Sequence, residues 1–260
     1  LGMNYMSKKI EKHVADQLPS ETDAVAASRK KDHIELAFQS QIAAGKLDER
    51  FYYEPLLAGH PEKGPQPAFD FLQKQMQVPI WVSSMTGGTE LAYTINHNLA
   101  RACRDFGMGM GLGSCRSLLY SDERLPDFDL RPTIGPELPL YANLGVAQVE
   151  QLLELRETWR AEKLVEMLRA DGLIIHVNPF QEWLQPEGDH FKQSPIEIIK
   201  AFLAETQIPL IVKEVGQGMG KESLKALFEL PLEAIDFAAS GGTNFAQLEL
   251  LRSQAVKQTV

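Results

Sequence analysis

The sequence predicts an α/β fold, a (β/α)8-type barrel of which about six βα units are legible. Three observations point there. Short, almost wholly apolar runs recur from Val78 onward, as in parallel strands covered on both faces. Segments with helical spacing separate them, as crossovers between parallel strands require. Small or hydrogen-bonding residues gather where each run ends, the rim on which such a barrel carries its site. A doubly wound open sheet is the alternative reading of the same rhythm.

Taken in order, Leu1 to Ser28 is polar and aperiodic and reads as a surface arm. "SRKKDHIELAFQSQIAAG" offers Ser28 as a cap, apolar Ile34, Leu36, Ala37 and Phe38, and a terminating Gly45, which predicts a helix from about Lys31 to Ala44. Proline-rich, aromatic connecting sequence continues to residue 77. Six strand runs follow: "PIWVSSM", "GMGMGLGS", "PLYANLG", "GLIIHVN", "PLIVKEV" and "AIDFAAS". Between them lie the helical segments "ELAYTINHNLARACRDF", "AQVEQLLELRETWRAEKLVEMLRA", "IEIIKAFLAET" and "KESLKALFE", with "FAQLELLRSQAVKQ" after the last. The interval after "GLGS" is irregular and holds several prolines. The pattern stops two strands short of a closed barrel, and the chain, which opens on Leu-Gly, is expected to be part of a longer protein.

Composition narrows the function. With 260 residues, 44% of them hydrophobic, one large core is expected. No run reaches the roughly 18 apolar residues of a membrane helix, and "LGMNYMSKKIEKHVADQ" lacks the apolar centre of a signal peptide, so a soluble, cytoplasmic protein is expected. A net charge of −9 argues against a nucleic-acid partner, although "SRKKDH" forms a local basic patch suited to an anion. Cys103 and Cys115 have neither metal-site spacing nor disulfide density and read as reduced thiols.

The strand ends hold the groups with chemistry. After the fourth run, "HVNPFQEWLQPEGD" places His176, Asn178, Gln181 and Glu182 at the mouth, with Pro179 ending the ladder. "SSMTGGT" ends the first run with hydroxyls and two glycines, letting backbone N–H groups approach a planar or anionic ligand. "GLGSCRS" puts Ser114 and Arg116 on the rim, and an arginine there can grip phosphate bidentately. Asn143 ends the third run with a donor and an acceptor. Lys213 in "VKEVGQG" needs a partner to be buried in so apolar a run. Thr243 follows the glycine turn of "AASGGTNF" near a helix start. A purely structural barrel has no reason to aim a hydrogen-bonding residue at one rim from every strand, so an enzyme is expected.

"SRKKDHI", "SSMTGGT", "GLGSCRS", "ANLG", "HVNPFQEWLQPEGD", "VKEVGQGMG" and "GGTNFAQLE", in that order from Arg29 to about Arg252, resemble the signatures of type 2 isopentenyl diphosphate isomerase. The resemblance implies an FMN-dependent TIM barrel that interconverts isopentenyl and dimethylallyl diphosphate with Mg²⁺ and NADPH-reduced flavin, as a homo-oligomer (tetramer or octamer) without net redox. It divides the chain into an arm over 1–28, a substrate-covering helix and connecting segment over 29–77, and the barrel over 78–260. It assigns Arg29, Lys30, Arg116 and Gln181 to the substrate, and His176, Asn178 and Gln181 to the reacting end. Met85, Thr86, Gly87, Ser114, Asn143, Lys213 and Thr243 go to FMN, and Glu182 to Mg²⁺. Cys115 stands where the family often has Gln, and Ala238 where some members have Ser. Strands seven and eight and the glycine-rich turns that hold the FMN phosphate are expected beyond the six runs. The competing expectations are another FMN-dependent barrel oxidoreductase and an inactive truncated piece of the isomerase.

Overall fold

The computed structural model describes residues 33–37, 39, 40, 54, 56, 57, 59, 64, 68–239 and 242–259, with side chains to Ser253. The chain divides into two compact units, Leu1–Lys63 and Gly64–Val260. In the first, residues 33–36 are helical. Arg29, Lys30 and most of the predicted arm and helix lie outside the described residues.

The second unit begins with a hairpin, β1 (Phe69–Phe71) and β2 (Lys74–Met76), paired Phe69 to Met76 and Phe71 to Lys74. Its two-residue turn places Leu72 and Gln73 at φ 51° and 60°, the left-handed pair a tight hairpin needs. Six parallel strands follow: β3 (Trp81–Val82), β4 (Gly109–Gly111), β5 (Leu140–Gly145), β6 (Gly172–Val177), β7 (Leu210–Glu214) and β8 (Ala234–Asp236). They pair strictly in sequence order, β3-β4-β5-β6-β7-β8. A doubly wound sheet reverses direction at a switch point; this one never does, which is the order of a barrel wall. All six predicted runs are strands. β3 and β8 each pair on one side, yet the Ser83 hydroxyl donates to Asp236 Oδ2 at 2.8 Å, so the sheet curls until its two margins are in side-chain reach.

The crossovers are α1 (Glu90–Phe106), α2 (Arg131–Ile134), α3 (Val146–Leu155), α4 (Trp159–Leu168), α5 (Pro179–Leu184), α6 (Pro195–Glu205), α7 (Lys221–Phe228) and α8 (Phe245–Thr259). Thr89 caps α1 by accepting from Ala92 N at 3.1 Å, and Gly107 ends it at φ 65°. The single helical segment predicted over "AQVEQLLELRETWRAEKLVEMLRA" is two helices. Arg156, at φ 56°, ends α3, and its N–H reaches the carbonyls of Leu152 and Leu153. The irregular interval after β4 holds two single 3₁₀ turns, Arg116–Leu118 and Leu125–Asp127, before α2.

Alternation along the strands separates two apolar layers. Leu140, Ala142, Leu144, Leu173, Ile175, Leu210 and Val212 face the helices, against residues such as Val149, Leu164, Ile198 and Phe202. Tyr141, Ile174 and Ile211 face the interior, where Trp81, Leu72 and Ala234 join them. Burying each large side chain contributes about 1.5–3 kcal/mol, and the hairpin supplies Leu72 to this inner layer at the amino ends of the strands. Below it, Asp171 accepts from Leu140 N and Arg131 Nη2, each at 2.9 Å, and pairs with Lys74 at 3.3 Å. Both cysteines are free and buried, and burial pushes the Cys103 thiol up to about 11 and the Cys115 thiol up to about 12. Among the described residues no helix is long and apolar enough to cross a membrane.

Candidate functional site

Strand register builds the site. Parallel pairing aligns Asn143, Ile174, Ile211 and Ala234 in one interior row, and Gly145, His176, Lys213 and Asp236 in the row toward the carboxyl ends. Apolar packing thus fills the lower level, and polar groups crown it. Gly145 is glycine for want of space: a Cβ there would stand 2.4 Å from Gln148 Oε1 and 2.9 Å from His176 Nε2.

Over this row lies a cavity of about 110 Å³ lined by Met85, Ser114, Asn143, His176, Gln181 and Lys213, with Ser84, Gly113, Val215 and Phe245. Six residues chosen from five separate strand ends therefore share one space. The Asn143 amide donates to Leu112 O at 2.9 Å, leaving its Oδ1 to accept from His176 Nδ1 at 2.7 Å. That orientation puts the imidazole proton on Nδ1 and leaves Nε2 as an acceptor. Burial, helped by the Lys213 charge, lowers the His176 pKa to about 3, so the ring is neutral at physiological pH. Lys213 is 5% exposed; its Nζ donates to Glu214 O at 2.9 Å. Burial lowers its pKa, while Asp236 and Glu214 act to raise it. A buried cation facing a small polar cavity suits an anionic or electron-rich ligand.

The segment after β6 is the short helix α5, because Pro179, expected to end the ladder, sits in its first turn, where proline starts helices as readily as it ends strands. One turn brings Asn178, Gln181 and Glu182 together. Asn178, 2% exposed, donates through Nδ2 to Gln181 Oε1 at 3.1 Å and to Glu182 Oε1 at 2.8 Å. Its oxygen engaged in this way, Gln181 lines the cavity. Glu182 Oε2 accepts from Asp189 N at 2.7 Å, and the Asp189 carboxylate in turn takes Arg116 Nη1 at 3.2 Å and Gln148 Nε2 at 3.0 Å. Asn178 Oδ1 and Ser84 Oγ are buried without a hydrogen-bond partner, and Ser84 lines the cavity.

The other chosen residues stand around this centre. Arg116 and Gly87 line a second cavity of about 550 Å³, with Gly88, Ser117, Tyr120, Gln148 and Gln151; Ser114 lines both. The Thr86 backbone packs on Gly113, and the Thr243 carbonyl lies against Gly216. Asp189, Gln148, Asp236, Glu214 and Phe245 are participants that sequence reasoning passed over. All five lay within quoted stretches, but none carries a signal until strand register and the turns bring it to the site.

Relatives match most of the described barrel. The isopentenyl-diphosphate delta-isomerase of Rickettsia felis is 36% identical over 236 residues, 86% of this chain and 65% of its own length. Those of Rickettsia typhi and Rickettsia prowazekii are each 35% identical over 237 residues, 87% of this chain and 66% of theirs. The chain belongs to the type 2 isopentenyl diphosphate isomerase family. It spans about two thirds of the length of these isomerases, or slightly less. No family model matches it. Solved structures similar to this isomerase-family chain include a mandelate oxidase with (S)-mandelic acid, at 16% identity and TM-score 0.43 over 65% of this chain and 50% of that one. Another is the old yellow enzyme homologue from Zymomonas mobilis, at 11% identity and TM-score 0.40 over 73% of this chain and 85% of that one. The barrel assignment rests on strand order and curl.

Proposed function

We propose that the chain carries the catalytic wall of an enzyme that isomerises isopentenyl diphosphate to dimethylallyl diphosphate, using FMN reduced by NADPH and Mg²⁺, and working as a cytoplasmic homo-oligomer. The observation that carries this reading is the meeting of Met85, Ser114, Asn143, His176, Gln181 and Lys213 around one cavity. The orphaned Ser84 hydroxyl beside a buried ammonium fits a planar, electron-rich ring with a polar edge. The 110 Å³ cavity is smaller than typical ligand pockets of ~300–1,000 Å³, whereas the 550 Å³ cavity on the other side of Ser114 lies within that range.

Moving the double bond adds a proton at one carbon and removes one from a neighbour. Reduced FMN, when bound, supplies an electron-rich ring that can carry a proton and stabilise positive charge. Lys213 fixes a cation at the edge of that space. Neutral His176 offers Nε2 as an acceptor, and Gln181, its oxygen held by Asn178, offers donors that orient the reacting end. A carboxamide is too weak an acid to protonate an alkene, so Gln181 orients the alkene and does not supply the proton. Arg116, on the rim of the larger cavity, meets the diphosphate, the role that the resemblance also gives to Arg29 and Lys30. Glu182 is a hard oxygen ligand already aimed by Asn178 and the Asp189 amide. Glu182 would hold the Mg²⁺, which would neutralise diphosphate charge, as suits a hard cation that prefers oxygen ligands.

Incubating the chain with isopentenyl diphosphate, Mg²⁺ and pre-reduced FMN in D₂O tests the reading. Deuterium entering dimethylallyl diphosphate is the expected result. A chain that binds flavin yet exchanges no deuterium overturns the isomerase assignment, and oxidation of a 2-hydroxy acid by the same preparation favours the oxidoreductase.

A further inference from the structure

Glu214, the last residue of β7, is 8% exposed, and its Oε2 accepts three successive backbone N–H groups: Gly216 at 2.7 Å, Gln217 at 2.6 Å and Gly218 at 2.9 Å. Gly216 at φ 130° and Gly218 at φ 79° allow these amides to converge. Such a concave run of N–H groups ordinarily receives an outside anion; here the chain's own carboxylate fills it. The peptide that opens this turn bears the Glu214 carbonyl, which is the acceptor of Lys213 Nζ at 2.9 Å. Three charge-assisted bonds thus fix the turn, the turn fixes the carbonyl, and the carbonyl fixes the ammonium. Asn244 fastens the same turn to the start of α8. Its Nδ2 donates to Gly216 O at 2.9 Å, and Phe245 N donates to Val215 O at 3.1 Å, which brings Val215 and Phe245 to the cavity wall.

We propose that Glu214 is the positioning residue of the site: its carboxylate, seated in the 216–218 amides, holds the Lys213 ammonium on the interior row with His176 and Asp236. Only the use made of Lys213 rests on the function proposed above; the positioning stands on the turn itself. Glu214, Gln217 and Gly218 also line a cavity of about 590 Å³ on the helix side of the sheet. A small carboxylate from solution can therefore reach the amides once the side chain is shortened.

The test is site-by-site acetylation of native lysines by acetic anhydride, read by mass spectrometry, in the unchanged chain, Glu214→Ala and Glu214→Gln, with and without formate. Loss of the charge-assisted bonds is expected to raise Lys213 labelling in Glu214→Ala on the order of tenfold, with other lysines unchanged. Formate returns it toward the starting value, and Glu214→Gln, which offers a neutral acceptor, falls between. Unaltered Lys213 labelling in a folded variant overturns the proposal, as does a folded alanine variant that ignores formate. Should the alanine variant not fold, the glutamine variant decides alone: raised labelling supports the proposal and unchanged labelling overturns it. An FMN titration of the same samples separates the two ideas. Labelling that responds while flavin affinity does not leaves Glu214 as the positioning residue and removes Lys213 from the flavin.

Discussion

Replacing Gly113 with alanine probes how tightly the rim is assembled. A Cβ at this position would lie 2.3 Å from Thr86 O, 2.5 Å from Thr86 C and 2.6 Å from Thr86 N. These are backbone atoms, so no change of rotamer relieves the overlap; the segment after β3 must retreat. It is held from behind, because buried Asn96 donates through Nδ2 to Thr86 O at 3.2 Å and to Asp127 O at 3.0 Å. Forcing a methyl into a filled site costs about 1–3 kcal/mol, and drawing Thr86 away from Asn96 weakens a buried hydrogen bond worth about 1 kcal/mol. Gly113 is not at positive φ, so alanine recovers about 0.4–1 kcal/mol through the unfolded chain. The expected net loss is about 1–3.5 kcal/mol, read from urea unfolding by circular dichroism. Met85 and Ser114 should separate together with it, weakening FMN binding. A loss below about 0.5 kcal/mol, the range of an ordinary surface substitution, would refute the view that the first two strand ends meet backbone to backbone.

The neutral His176 makes stability fall in acid. Its folded pKa of about 3 lies below the unfolded 6.5, so between those values the unfolded chain binds the extra proton. The stabilisation is full above pH 6.5, declines as pH drops toward 3 and changes no further below it. Because the ring opens onto the cavity, the effect should be about 1–2 kcal/mol, seen as a shallower pH dependence of the urea midpoint in His176→Gln. Glu182→Gln should weaken Mg²⁺-dependent turnover and leave FMN bound; unchanged Mg²⁺ dependence removes Glu182 from the metal. Asp171→Asn strips a carboxylate from Arg131, Lys74 and the Leu140 amide. It should cost about 1–3 kcal/mol with the flavin affinity unaltered, since these contacts sit at the opposite end of the strands; a lost flavin site with intact stability would contradict that.

Six strands were legible because each is apolar enough to be covered on both faces, and α1 because helical spacing runs without breakers from Glu90 to Phe106. The hairpin at 69–76 was not, since Leu72 and Gln73 adopt left-handed conformations that Asn-Gly would have announced; burial of Leu72 in the inner layer offsets that strain. Arg156 hid the break between α3 and α4 for the same reason, standing where glycine usually signals a helix end. At the site, alternation was enough to choose His176, and a charge inside an apolar run to choose Lys213, but not their partners. Asp236 pairs with Lys213 only through strand register, and Glu214 reads as a surface acid until its amides are seen.

The bond between Ser83 and Asp236 joins residues 153 positions apart, one just past the end of the first strand of the sheet and the other on the last. Asp236 is also the register neighbour of Lys213, whose charge it favours. One carboxylate therefore serves two masters, as a clasp for the curl and as a counter-ion for the ammonium. Prying the first strand from the last would be felt at once as an electrical change in the middle of the wall, which makes the ionisation of a single lysine a gauge of how far the whole sheet is rolled.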